Sequence, residues 1–287
     1  MRIIWLKPLI AVCVSLIVGG EAYAQPLIAR AESIECMIAN ADLVFVAKLV
    51  EFGFEQEADD RKFYEGTIEI EETLKQGLFR DEPDRQRKVR LPHYSRTVLT
   101  HWQEHSIRLL VTVNEDDWYA TRVIALTDEP LEILTADFQL LRDPEAVIRV
   151  AKETARRLPA PVRRVHTFRV SVPHEVFIQT QWKARHGMEL AVPVDERLEK
   201  RAQGGILSVN FSTRVESARA LRYFKSDENV ARLKPLLNDP GWGYFQHPSE
   251  NNGIEVRDYM VREAAFGTLK SWGVNVDRPV IREEVRK

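Results

Sequence analysis

Between Phe63 and Leu74 the chain alternates with a period of two, and this pattern constrains the fold more than any other. Tyr64, Ile68, Ile70 and Leu74 fall on one side. Glu65, Thr67, Glu69, Glu71 and Thr73 fall on the other. Only a strand with one buried and one wet face satisfies that spacing, because successive side chains of a strand point to opposite faces. The neighbouring segments extend the argument. Leu43 to Phe52 is apolar on nearly every early residue, which predicts a strand buried on both faces. Lys88 to Leu91 reads as a short strand stopped by Pro92. Ile107–Val113 and Trp118–Leu126 read as a hairpin turning at Asn114-Glu115-Asp116-Asp117. Five strands with short links predict a small antiparallel barrel or sandwich.

Helical signals flank this β region. Ser33 caps a short helix over Ile34–Ala39, with Glu32 and Glu35 near its positive end. Asp143-Pro144 starts a helix reaching about Leu158, with Ala146, Val147, Val150, Ala151 and Thr154 as its inner stripe. Pro159-Ala160-Pro161 reads as a linker. A second β stretch follows at His166–Val172, Val176–Trp182 and Met188–Val192. Asp195 to Gln203 reads as a helix ended by Gly204-Gly205. Thr213 and Glu216 form a capping box for a helix over Val215–Phe224, and Ser226 or Asp227 caps the next, up to Leu237. Asn238-Asp239-Pro240 stops it, and Tyr259–Ser271 is the last helix, closed by Trp272-Gly273. The expected fold class is α+β. A leader occupies 1–24, a β domain with a closing helix 25–158, a β-rich segment 159–212, and a helical domain 213–287.

The first 24 residues read as an address. Arg2 and Lys7 precede the apolar run Leu9–Gly20, and Ala22-Tyr23-Ala24 offers the small-x-small pattern of a signal-peptidase site. Twelve apolar residues span roughly 18 Å as a helix, short of the roughly 30 Å hydrocarbon core. Cys13 follows Ile10-Ala11-Val12 and not the small residues of a lipoprotein signal. The reading is a secreted or periplasmic protein cut after Ala24, with Gln25 at its new N-terminus and no integral membrane segment afterwards. The remaining chain carries 39 basic and 42 acidic side chains, about −3. That balance gives no electrostatic footing for nucleic acid or an anionic membrane. Only Cys36 is left, so the fold relies on burial without an intramolecular disulfide. Among Ile34, Met37 and Ile38, Cys36 reads as a small buried apolar residue.

Two stretches carry family resemblances. Leu233, Leu236, Leu237, Asn238, Asp239 and Pro240, then Val261-Arg262-Glu263-Ala264-Ala265, Leu269 and Gly273, resemble a HEAT repeat. The resemblance covers about residues 213–275 and implies antiparallel helices, with alanines permitting close approach and Arg262 bonding the inter-helix turn. Ala218, Leu221 and Phe224 look like the second helix of a preceding half-repeat. With about one and a half repeats and an interrupted turn, the expectation is a capping helical domain and not an extended solenoid. Ala41–Val50 and Glu72–Gly77 resemble OB-like barrels of the netrin and tissue-inhibitor-of-metalloproteinases type. The resemblance implies that fold alone, since Gln25 stands where those inhibitors place a zinc-chelating cysteine.

The chemistry-bearing motifs are few. His101-Trp102-Gln103-Glu104-His105 matches His-x-x-Glu-His, in which two histidines on one helical face bind zinc and the glutamate serves as base. Here the segment reads as a loop or single turn between strands. Glu115-Asp116-Asp117 lacks the alternating ligands and central glycine of a calcium loop. Neither Gly-x-Ser-x-Gly nor a phosphate-cradling glycine loop occurs, and the sequence implies no cofactor and no metal. The most unusual loop begins Gly241-Trp242-Gly243-Tyr244-Phe245-Gln246-His247-Pro248, where a repeat normally turns tightly. Trp242, Tyr244, Phe245, His247 and Arg262 are the candidate binding residues, because aromatic rings bury much area at low entropy cost. Two readings follow. The aromatics tuck back and join the helical end to the β part, or they present a surface to a protein partner. The functional expectation is an exported, non-catalytic binding or scaffolding protein. The alternative is an exported hydrolase, using His101, Glu104 and His105 or a Ser/His/Asp triad that no sequence spacing reveals.

Overall fold

The computed structural model of the chain describes residues 29–58, 61–76, 85–92, 94–127, 131–170, 177–178, 182–183, 188–246 and 254–286. The expected leader, its cut after Ala24, Cys13 and His247 lie outside the described residues. Strand β1 (Ala29–Glu32) leads into α1 (Ile34–Asn40), whose Ser33 cap accepts a hydrogen bond from Cys36 N at 3.1 Å. Then come β2 (Leu43–Ala58), β3 (Arg61–Lys75), β4 (Gln86–Pro92), α2 (Arg96–Glu104), β5 (Arg108–Val113) and β6 (Ala120–Leu126). The five strands form one antiparallel sheet in the order β4-β3-β2-β5-β6.

The first half of β2, residues 43–49, is buried on both faces, and its alternation sends side chains to two cores, whereas the second half is largely exposed. Phe45, Ala47 and Leu49 join Ile68, Leu91, Leu109 and the α2 residues Leu99 and Trp102. Val44 and Val46 join Ile34 and Ile38 of α1 and Val147, Ile148 and Ala151 of the helix α3 (Pro144–Arg157). The expected barrel or sandwich is in fact an open sheet covered by helices. Its edge strand β4 meets the residues just before the other edge strand, β6, at a parallel bridge, Arg90 to Tyr119, where Arg90 N donates to Trp118 O at 2.9 Å. Pro92 ends β4 without an N–H to extend that pairing.

A small hairpin, β7 (Ile133–Leu134) and β8 (Leu140–Leu141), precedes α3. Asp143 caps α3 through its side chain, bonded by Ala146 N at 2.8 Å. The buried stripe of α3 is Val147, Ile148, Ala151, Thr154 and Ala155, rotated about one residue from the expected one; Ala146 and Val150 are only half-buried. After β9 (Val165–Val170) come the short pair β10 (Phe177–Ile178) and β11 (Trp182–Lys183), then β12 (Met188–Pro193). β12 lies between β9, antiparallel, and β1, parallel, so the start of the described chain is stitched to its middle.

The helical part follows: α4 (Glu196–Gly205), α5 (Phe211–Ala220), a 3-10 turn at Leu221–Tyr223, α6 (Asp227–Leu233) and a second 3-10 turn at Lys234–Asn238. The capping box expected at Thr213 is not used. Asn210 caps α5, accepting from Ser212 N at 2.9 Å, and Thr213 lies within the helix. β13 (Gly243–Gln246), β14 (Ile254–Asp258) and β15 (Arg282–Arg286) make an antiparallel sheet around α7 (Met260–Ser271) in sequence order. Gly273, at φ 75°, closes α7, with Gly273 N on Lys270 O and Val274 N on Leu269 O. One apolar cluster holds this half together: Ala31, Phe168, Leu190 and Val192 from the strands meet Ala202, Ala218, Val261, Ala265 and Leu269 from the helices. Among the described residues, no helix is long and apolar enough to cross a membrane.

Candidate functional site

The aromatic loop is organised by Asp239, where the second 3-10 turn ends. Its carboxylate accepts from Arg214 of α5 twice, Nε at 2.7 Å and Nη2 at 2.8 Å, and from Gly241 N at 2.8 Å. Its carbonyl accepts from Arg262 Nε of α7 at 2.8 Å. Arg262 also donates to Val280 O at 3.1 Å, and its guanidinium lies 3.7 Å from the centre of the Tyr259 ring. Thus one aspartate ties the turn to α5 and α7. The fork of Arg214 suits this bidentate contact, which fixes direction as well as distance. Gly241 is required by crowding. A Cβ there would meet Arg214 Nη2 at 2.6 Å and Asp239 Oδ1 at 2.9 Å.

This knot launches the hairpin of β13 and β14. Trp242 and Tyr244 stand edge to face with ring centres 5.0 Å apart, a favoured aromatic geometry. Arg257 of β14 covers the Trp242 ring at 4.5 Å and donates to Glu255 Oε1 at 2.6 Å. Glu255 is buried, and its carboxylate holds the Arg257 guanidinium above its ordinary pKa. Trp242 is half-buried in this stack, whereas Tyr244 keeps 53% of its surface in solvent. Among the described residues, the arrangement is a partly dry base that presents one aromatic ring, Tyr244.

Of the expected binding residues, Trp242 and Tyr244 are brought together on this hairpin, and Arg262 anchors the turn at its root. Phe245 lies in β13, with its side chain outside the described set. Sequence reasoning missed Arg214, Asp239 and Arg257 as parts of the site. Asp239 was visible as a helix stop and as part of the turn that Arg262 was expected to bond, but nothing local links it to Arg214, 25 residues away.

The His-x-x-Glu-His segment, expected as a loop or single turn, is helical and belongs to a longer helix. It forms the last turn of α2, capped by Ser95. The helix exists because Leu99 and Trp102 face the core while the rest faces water. The His101 and His105 rings stand 4.4 Å apart, and His105 Nδ1 lies 3.0 Å from His101 O. Among the described residues, no group of three His, Cys, Asp or Glu side chains converges as a metal site.

Elsewhere, buried polar groups serve the fold. Cys36 is fully buried, takes a hydrogen bond from Asn40 Nδ2 at 3.3 Å, and has its thiol pushed up to about 12 by burial. A thiol so shifted is a poor nucleophile at neutral pH. Lys75 donates to Ile38 O and Ala39 O at 3.0 and 3.1 Å, and burial pulls its ammonium down to about 8. It satisfies carbonyls near the end of α1, where a positive charge is favoured. His166 is buried beside Phe168 and Tyr223, and burial lowers its imidazole to about 4.

No family model, curated protein or solved structure matches the chain.

Proposed function

We propose that this is an exported, non-catalytic binding or scaffolding protein that takes a protein partner on the Trp242–Tyr244 hairpin. One observation carries the reading: a half-exposed tyrosine ring is held edge-on to a tryptophan that an arginine covers from the other strand. Ordering costs are already met in the free protein, so a partner gains the ring's burial at little entropic penalty. Truncating such an aromatic anchor typically costs 2 kcal/mol or more of binding, about thirtyfold. The leader-like start supports export. The sheet order β4-β3-β2-β5-β6, with α2 between β4 and β5 and the edge strands touching, supports an OB-like arrangement of the first part. The packing of α5 against α7, with Thr268 Oγ1 on Ala218 O at 2.8 Å, supports a HEAT-like arrangement of the last helices.

The test compares recovery of a partner by the wild type, Trp242→Ala, Tyr244→Ala and a distant exposed control, Phe54→Ala, from extracts of the host envelope. A partner retained by Phe54→Ala and lost by both hairpin variants is expected. Equal recovery by all four overturns the proposal. N-terminal sequencing of the exported chain tests the address, with Gln25 as the expected first residue.

A further inference from the structure

The small sheet β1-β12-β9 ends in an edge: among the described residues, β9 pairs with β12 alone. Val194 N donates to Arg164 O at 2.9 Å, and the register sets Val165 opposite Pro193. Hydrogen-bonded and non-hydrogen-bonded pairs alternate along an antiparallel ladder. Arg164, His166 and Phe168 therefore turn their backbone groups toward β12, and Val165, Thr167 and Arg169 turn theirs away from it. Two neighbours fix the same parity. Pro193 has no N–H to give Val165, and Ala191, opposite Thr167, directs its carbonyl to Ser33 N beside β1.

Tyr223 covers one outward group, donating from its hydroxyl to Val165 O at 3.4 Å. Thr167 and Arg169 each turn an N–H and a C=O outward with no partner among the described residues. The side chains agree. His166 and Phe168 are buried, Val165 is 39% exposed, and Thr167 and Arg169 stand in solvent. Donor–acceptor pairs repeating about 7 Å apart are matched by another extended backbone and not by a small anion.

The rim of this edge is basic. Glu189 is shared by Arg30 and Arg169, at 3.2 Å from each, which leaves one positive charge over. Arg219 is matched by Glu216, and Arg201 by Asp137. Arg164 leads into β9, and Arg222 meets the Tyr223 hydroxyl; neither has a carboxylate partner among the described residues. The surplus is three positive charges, on a chain whose formal net charge is −2. The field reaches the strand itself: His166 is lowered to about 4 by burial first and then by Arg222, Arg219 and Arg201. A second copy of β9 laid along this edge sets like charges face to face, which rejects it. An acidic strand is drawn in by the same charges.

We propose that the β9 edge docks an extended acidic segment of a partner protein. The segment adds as a further strand through the backbone groups of Thr167 and Arg169 and sets its carboxylates against Arg164, Arg169 and Arg222. This surface is separate from the aromatic hairpin.

Fluorescence anisotropy on the full chain tests it with a labelled peptide alternating glutamate and valine. The comparison probes are the same peptide with lysine for glutamate, the same peptide N-methylated throughout, and heparin. The acidic peptide should bind, and its lysine and N-methyl forms should bind at least about tenfold more weakly. Thr167→Pro removes only an outward N–H, so the variant should keep its thermal midpoint and lose about tenfold in affinity. Arg169→Gln,Arg222→Gln should weaken binding severalfold and flatten its salt dependence. Trp242→Ala should leave it unchanged. No binding of the acidic peptide overturns the proposal. So does equal binding of its lysine or N-methyl form, full binding by a folded Thr167→Pro variant, or tighter binding of heparin than of the peptide. A dimer of the free chain that Thr167→Pro dissolves in sedimentation also overturns it, because the edge then serves a second copy.

Discussion

Replacing Asp239 by alanine should be among the most destabilising polar changes in this protein. The Arg214–Asp239 pair is nearly dry, with side chains 12% and 6% exposed, so solvent screens it little. Deleting the carboxylate strands the guanidinium and leaves Gly241 N without its acceptor. Removing one member of a buried ion pair costs about 3–5 kcal/mol, because the surviving charge stays desolvated. That is a large share of the roughly 5–15 kcal/mol that holds a domain folded. Asp239→Asn keeps an acceptor but loses the charge, and should cost about half as much. Arg214→Ala also frees Ser208 O and Val209 O, which are near the surface and can take water. The double variant should fall short of the summed single losses by about 2 kcal/mol, since the two residues act as one unit. Urea unfolding followed by circular dichroism measures all four through the midpoint at constant slope. A loss under about 1 kcal/mol for Asp239→Ala, or strict additivity in the cycle, refutes the claim that this pair knots the turn.

Gly205→Ala places a Cβ 2.0 Å from Ser217 Oγ and 3.1 Å from Ser217 Cβ, where α4 crosses α5, and overpacking of this kind costs about 1–3 kcal/mol. Gly205→Ala,Ser217→Gly should recover most of the midpoint, and a neutral Gly205→Ala would mean the helices are not in contact there. His166 gives a pH dependence of definite sign. Its folded pKa, about 4, is depressed below the unfolded value by burial and then by Arg222, Arg219 and Arg201. The unfolded state therefore binds the proton first, and stability present above pH 6.5 is lost as pH falls toward 4, by about 3 kcal/mol in all. Glu35 and Glu216, raised by burial, work in the opposite direction, so the difference between wild type and His166→Phe isolates the histidine. Parallel stability curves for the two proteins between pH 7 and pH 4 would remove His166 as the cause. Cys36 should resist iodoacetamide at pH 8 in the folded protein and react in urea, as read by peptide mapping, because its thiol is buried and pushed up to about 12. Rapid native labelling at Cys36 would contradict that burial.

Local chemistry was legible in this sequence wherever a single residue decides. Ser33 and Asp143 cap their helices as their positions predict, and Ser226 is the cap chosen from the Ser226–Asp227 pair. The period-two run becomes β3, and the doubly apolar run becomes β2. What failed depended on distant partners. β1 is only four residues long and exists through parallel pairing with β12, which local periodicity does not encode. The helix α2 was hidden because only Leu99 and Trp102 are buried on it, too few for a visible stripe. Gly204-Gly205 ends α4 as its position predicts, but the sequence does not show that Gly205 also serves the close approach of α5. β15 carries no apolar alternation and is selected by hydrogen bonding to β14.

The long-range links follow a common logic that bears on the proposed binding surface. Arg157 to Asp195 joins α3 to the cap of α4, Glu35 Oε2 accepts from Ala136 N at 2.7 Å, and Arg214 to Asp239 joins α5 to the hairpin. Such buried polar contacts contribute modest net stability compared with apolar packing, because desolvation offsets much of their attraction. Their geometry is directional, so they fix where elements sit more than whether the chain collapses. For the hairpin this separates position from stability. Arg262→Lys keeps the positive charge near Tyr259 but loses the fixed fork that reaches Asp239 O and Val280 O together. It should lower the unfolding midpoint only slightly while weakening partner capture severalfold, because the Trp242–Tyr244 ledge loses its fixed root. If capture tracks stability across Arg262→Lys, Asp239→Asn and an unrelated core variant such as Ile38→Val, then the knot acts on folding alone and the hairpin is not a positioned surface.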